Sequence, residues 1–164
     1  MGTVTYPNAQ VAEFVSEHFV ALKINLKERH PDFKDVVGRA KALWSPLHVY
    51  LDGRGNELRR NIGYLAPEEF LAELHLVLGL SALMRSAIDE SIGWFEGVAA
   101  TYPRALAAPE ALYWAAAAAY RSGGIPAVVA RWDDLAERYP ESPWARRVLD
   151  VVPPEVRAAL PSRG

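Results

Sequence analysis

Val11, Phe14, Val15 and His18 recur at three- and four-residue intervals, the spacing of one helical face, and Asn8 is placed to cap that helix. The period then changes. Residues 19–26, FVALKINL, alternate and carry branched side chains, which predicts a strand. Pro31 suits the first turn of a helix over 32–43 that buries Phe33, Val36, Val37 and Leu43. Leu47–Leu51 and Glu57–Ile62 flank Asp52-Gly53-Arg54-Gly55, a turn with two glycines able to take positive φ, and together they predict a β-hairpin. Ala66-Pro67-Glu68-Glu69 opens another helix, with proline and acids where a first turn favours them, and Phe70, Leu71, Leu74 and Leu78 as its buried stripe. From about Leu80 to Leu149 every segment reads as helix, and Pro153, Pro154 and Pro161 mark a loose tail.

The order of the first half is specific: helix, strand, helix, Trp44-Ser45-Pro46-Leu47, strand, Asp-Gly turn, strand, Gly-Tyr, helix. It resembles the C-terminal three-quarters of thioredoxin-like proteins over residues 5–78, most clearly in WSPLHVYLDGRGNELRRNIGYLAPEEFLAEL. The resemblance implies an α/β thioredoxin-like domain over residues 1–79, with Pro46 as counterpart of the family's cis proline, which faces its active-site cysteines. The family's central strand and Cys-x-x-Cys helix start would precede Thr5, where only residues 1–4 stand. Either the chain has evolved without these parts or it begins downstream of them. Without that strand the inward edges of 19–26 and 47–51 carry unpaired backbone groups. The two are then expected to pair directly, antiparallel, or to be completed by a second copy in a homodimer.

The second half repeats itself. FEGVAATYPRALAAPEALYW and WDDLAERYPESPWARRVL each run from an aromatic through apolar residues at helical spacing to Tyr-Pro and a fresh helix start; Pro103 and Pro140 are 37 residues apart (140 − 103). Periods of this size with a closing proline point to helical hairpin repeats. The pattern resembles tetratricopeptide repeats over residues 72–149, which implies an all-α array over 80–152 and a tail over 153–164. With Pro140 closing a repeat that begins at Pro109, the core positions fall on Leu112, Ala115, Ala116, Ala119, Val128, Trp132 and Leu135, and Gly123 falls at the inter-helix turn. An earlier repeat closed by Pro103 would share the helix beginning at Pro67, making the junction near Gly79 rigid.

Composition narrows the chemistry. Half of the 164 residues are hydrophobic and 23% are charged, enough for a packed core. A net charge of −2, with no basic stripe, gives no footprint for nucleic acid. The longest apolar run, 111–120, is about half of what a membrane span needs, and a cytoplasmic protein is the expectation. With no cysteine, this chain has no thiol nucleophile, disulfide or thiolate metal site. His18, His30, His48 and His75 show no metal spacing and read as surface or satisfied core residues. Glu68-Glu69 and Asp89-Glu90 read as helix-start acids, and Gly53-Arg54-Gly55 leads into a strand and is not a phosphate loop.

No catalytic residue, metal ligand or cofactor follows from these residues. The expected function is a non-catalytic protein-binding or assembly module, holding a protein or peptide near Ser45, Pro46 and Leu47, or in a groove lined by Tyr113, Tyr120 and Arg121. Tyr113 and Tyr120 are seven residues apart and so share a helix face. The resemblance keeps a second reading open: a truncated thiol-disulfide oxidoreductase whose Cys-x-x-Cys segment lies upstream.

Overall fold

Asn8 starts the first helix by accepting the Val11 N–H on its side-chain oxygen at 3.2 Å, and α1 (Ala9–His18) ends where Phe19 becomes extended. The structure, a computed structural model, describes residues 1–25, 44–149 and 151. The chain divides into two compact units, Met1–Leu71 and Ala72–Gly164.

In the first unit the Asp52 turn sets the hairpin. One Asp52 carboxylate oxygen accepts the backbone N–H groups of Arg54 and Asn56, and the other accepts the Asn56 amide, all at 2.8 Å. Gly55 supplies the positive φ of 84° that closes the loop. The flanking strands, β1 (Leu47–Leu51) and β2 (Glu57–Ile62), pair antiparallel with Leu47 opposite Ile62 and Tyr50 opposite Arg59, and a bulge interrupts the register between Tyr50 and Leu51. The Ser45–Pro46 bond is cis, and the Pro46 carbonyl accepts the Gly63 N–H at 2.8 Å beyond the open end of the hairpin.

The expectation of an α/β thioredoxin-like fold is overturned. Helices dominate, and among the described residues the only sheet is the antiparallel pair β1–β2. Residues 19–25 form no strand and pair with neither β1 nor β2; Val20 is fully exposed and Leu22 is 74% exposed. Alternation marks two faces of a segment, but a strand forms only where another edge takes its backbone hydrogen bonds, and the sequence pattern names no such partner. The helix expected over 32–43 lies outside the described residues.

Helix α2 (Pro67–Met84) runs through the division between the units. Phe70, Leu71, Ala72, Glu73, Leu74, Leu76 and Val77 are all buried, more than the single expected stripe, whose Leu78 is half-buried. In the second unit α2 is followed by α3 (Ile88–Thr101), α4 (Ala107–Arg138) and α5 (Pro143–Leu149). Helix α4 is two helices in one run: Gly124 takes φ 63°, ψ −155°, and Pro126 follows. Were α4 straight, Tyr113 and Trp132 would lie roughly 28 Å apart at 1.5 Å per residue. Their ring centroids are 6.2 Å apart, so the chain turns back at Gly124 and its halves form a hairpin.

Two buried clusters follow. Ala72 and Leu76 of α2, Phe95 and Val98 of α3 and Ala108, Ala111 and Ala115 of α4 form one; Ala99, Leu112, Leu135, Ala145 and Val148 form the other, which brings both halves of α4 together with α3 and α5. Small side chains let the helix axes approach closely. The tightest place is Gly79, where an added Cβ would stand 2.4 Å from the fully buried Phe95 ring.

Gly79→Ala is therefore expected to destabilise the protein by about 1–3 kcal/mol, read as a lower urea midpoint, because the Phe95 ring has nowhere to move. Gly124→Ala should lose a similar amount, roughly 1–3 kcal/mol, by forcing a side chain into backbone space that only glycine enters freely. In the hairpin, the Asn56 side-chain amide first, then its backbone N–H, hold the exposed Asp52 carboxyl below its ordinary value of 3.8. A depressed carboxyl stabilises the fold above its unfolded value and ceases to as pH falls through the folded one. Carboxyl NMR should show Asp52 titrating below 3.8, and Asn56→Ala should bring it back up.

Candidate functional site

The first half of α4 presents its polar and aromatic residues in two different settings. Near its start, Glu110 is buried and accepts the Trp114 indole N–H at 3.2 Å. Tyr113 is half-buried. It stacks on Trp132, meets the Trp114 edge at 5.5 Å and lies 5.0 Å from Trp144 of α5. The Arg147 guanidinium covers that same Trp144 ring, 4.3 Å from its centroid. Among the described residues the buried Trp132 indole N–H has no acceptor. These contacts hold Tyr113 as part of the packing between the α4 hairpin and α5.

Two turns further on, the same helix is uncovered. Tyr120 is 57% exposed, and Arg121 is exposed and donates to the Ser86 hydroxyl at 3.2 Å. Ser86 sits in the α2–α3 turn with φ 62°, and the adjacent Arg85 pairs with Glu90 at 3.0 Å. The bond from Arg121 thus joins the end of the first half of α4 to that turn. Met84, 73% exposed, stands two residues before Ser86. The surface here combines apolar groups with a guanidinium held in place by a hydroxyl.

Ser45, Pro46 and Leu47 belong to the other unit. Ser45 is exposed, Pro46 and Leu47 are half-buried, and Trp44 beside them is largely exposed. Next in β1 comes a constellation that sequence reasoning missed. His48 is buried, its Nε2 lies 3.0 Å from the Tyr6 hydroxyl, and the Phe70 ring lies 5.2 Å from the imidazole. Burial raises the Tyr6 hydroxyl above its ordinary value. Thr5 donates to the Leu65 carbonyl at 2.7 Å and fixes the segment that carries Tyr6. A separation of 42 residues between Tyr6 and His48 leaves no local signal.

The remaining candidates are structural. His75 lies against the edges of Trp94 and Tyr102, and His18 is exposed at the end of α1; His30 lies outside the described residues. Glu68-Glu69 and Asp89-Glu90 occupy the first turns of α2 and α3. Among the described residues no group of three or more His, Cys, Asp or Glu is placed to hold a metal, and no helix is long and apolar enough to cross a membrane. Compared with known proteins, the chain matches no family model, no curated protein and no solved structure.

The two tyrosines are expected to respond differently to truncation. Tyr113→Ala should destabilise the protein by about 2–4 kcal/mol and change the near-ultraviolet dichroism, since Trp132 and Trp144 lose the ring between them. Tyr120→Ala should stay within about 0.5 kcal/mol of the parent in urea denaturation.

Proposed function

We propose that the protein is a non-catalytic protein-binding or assembly module, and that a protein or peptide partner docks on the helical array at Tyr120 and Arg121. The observation that carries this reading is the exposure of an aromatic and an arginine, side by side, on a helix whose remaining aromatics are taken up in packing. Tyrosine and arginine bury much area for little conformational loss and dominate the energetics of many interfaces. Arg121 is partly pre-ordered by Ser86, which lowers what a partner must immobilise. On this reading the helices are tetratricopeptide-like hairpins, which the repeated Tyr-Pro pattern of the sequence supports, and Tyr113 packs α4 against Trp144 of α5. Ser45, Pro46 and Leu47 make a second, separate contact region in the first unit.

A peptide-display selection on the immobilised full chain, run beside the Tyr120→Ala/Arg121→Ala double variant, tests this. Recovered peptides should bind the parent at least about 10-fold more tightly than the variant, as loss of an interface hot spot predicts. Equal binding to both would place the partner surface elsewhere.

A further inference from the structure

We propose that Ser86 is a phosphorylation site, and that the phosphate it carries binds Arg121 and so switches off the surface formed by Tyr120 and Arg121. The serine is exposed and lies in the turn of residues 85–87, between the end of α2 at Met84 and the start of α3 at Ile88. The Leu83 and Ala82 carbonyls accept the Ser86 and Ala87 N–H groups, both at 3.0 Å, so the turn holds the side chain in one place. Its hydroxyl is used differently from those of other serines. Ser16, Ser91 and Ser122 donate theirs to carbonyls of their own helices, and Ser142 accepts an N–H at the start of α5. The Ser86 oxygen accepts instead from a guanidinium 35 residues away, at 3.2 Å.

The charge around that hydroxyl suits a phosphate. Among the described residues Arg121 meets no carboxylate, whereas Arg131, Arg138 and Arg146 each pair with one. Arg85, beside the serine, is held by Glu90 at 3.0 Å in an exposed pair, and exposed pairs are weak enough to exchange partners. Asp89 and Glu90 lie in the first turn of α3; both are exposed, so solvent and salt screen their repulsion, while the Arg121 guanidinium already touches the oxygen to be esterified. In the modifying step Ser86 Oγ attacks the γ-phosphorus of a nucleoside triphosphate held by a protein kinase. The O–P bond forms as the bond to the nucleoside diphosphate breaks, the hydroxyl proton passes to the kinase's base, and nothing is oxidised or reduced. The product sets three acceptor oxygens, with a charge of about −1.5 to −2, within reach of the Arg121 fork, which matches phosphate in bidentate fashion. A guanidinium fastened in this way is withdrawn from a partner. That consequence rests on the docking site proposed above; the modification and its pairing with Arg121 do not.

Mass spectrometry of the full chain, isolated from the cells that make it, should find phosphate on Ser86; a chain unmodified there overturns the proposal. Phosphoserine installed at position 86 of the full chain tests the pairing. Phosphorus NMR should show its second ionisation below the usual value of about 6, because a guanidinium in contact favours the doubly charged form. Arg121→Gln, an exposed change that removes the charge, should bring that value back up with helical dichroism unaltered. The same titration with and without the Arg121 charge overturns the proposal. Peptides recovered on the unmodified chain should bind the phosphorylated chain at least about 10-fold more weakly. Peptides that lose affinity for the Tyr120→Ala/Arg121→Ala variant but bind the phosphorylated chain undiminished overturn the switch and leave the docking site standing.

Discussion

The reversal of the chain at Gly124 is the constraint on which the helical unit depends. It brings Leu112 and Leu135 into one cluster and lays Tyr113 on Trp132, which gives α5 a surface to close over. Four polar links then join successive hairpins. Arg121 donates to Ser86 and Arg131 to Glu96, each across 35 residues; Arg138 donates to the Ala99 carbonyl across 39 and Tyr139 to the Pro103 carbonyl across 36. These separations cluster around the repeat spacing seen in the sequence. The exposed ion pair Arg131–Glu96 contributes on the order of 0–1 kcal/mol, so alignment is its main effect. Apolar contact stabilises the array more, concentrated where Phe95 lies against Gly79 and where alanines of α4 meet α3.

What could be read in the sequence follows from how far each signal reaches along the chain. The helical array was legible because its repeat is written twice. Leu112, Ala115, Ala116, Ala119, Val128 and Leu135 are all buried, and the turn lies one residue beyond Gly123. The β-hairpin was legible because Asp52, Gly55 and Asn56 close it within five residues. The Asn8 cap and the acid-rich starts of α2 and α3 are equally local. The expectation of an α/β thioredoxin-like fold was wrong because it needed residues 19–26 to find an edge, and the alternating pattern of a segment says nothing about a partner. The Tyr6–His48 pair failed to announce itself for the same reason.

The candidate surface was half legible. Spacing correctly put Tyr113 and Tyr120 on one face of one helix, but a helix face has no fixed environment along its length. Seven residues advance the axis by about 10 Å, the width of a neighbouring helix. Over that distance α4 passes from beneath α5, where Trp144 and Arg147 lie, to the open side beside the α2–α3 turn. Packing and recognition draw on the same residue types, aromatics and arginine, so composition cannot separate the two roles.

The division between those roles follows from what each residue touches. The seven residues of α5, Pro143–Leu149, reach Tyr113 through Trp144, while Ala145 and Val148 close the cluster around Leu112 and Leu135. Tyr120, 57% exposed, and Arg121, which donates to the Ser86 hydroxyl, lie outside that cluster. Packing around Leu112 and Leu135 therefore accounts for Tyr113, Trp132 and Trp144, and Tyr120 and Arg121 are the aromatic and the guanidinium of the same helix that this packing does not use.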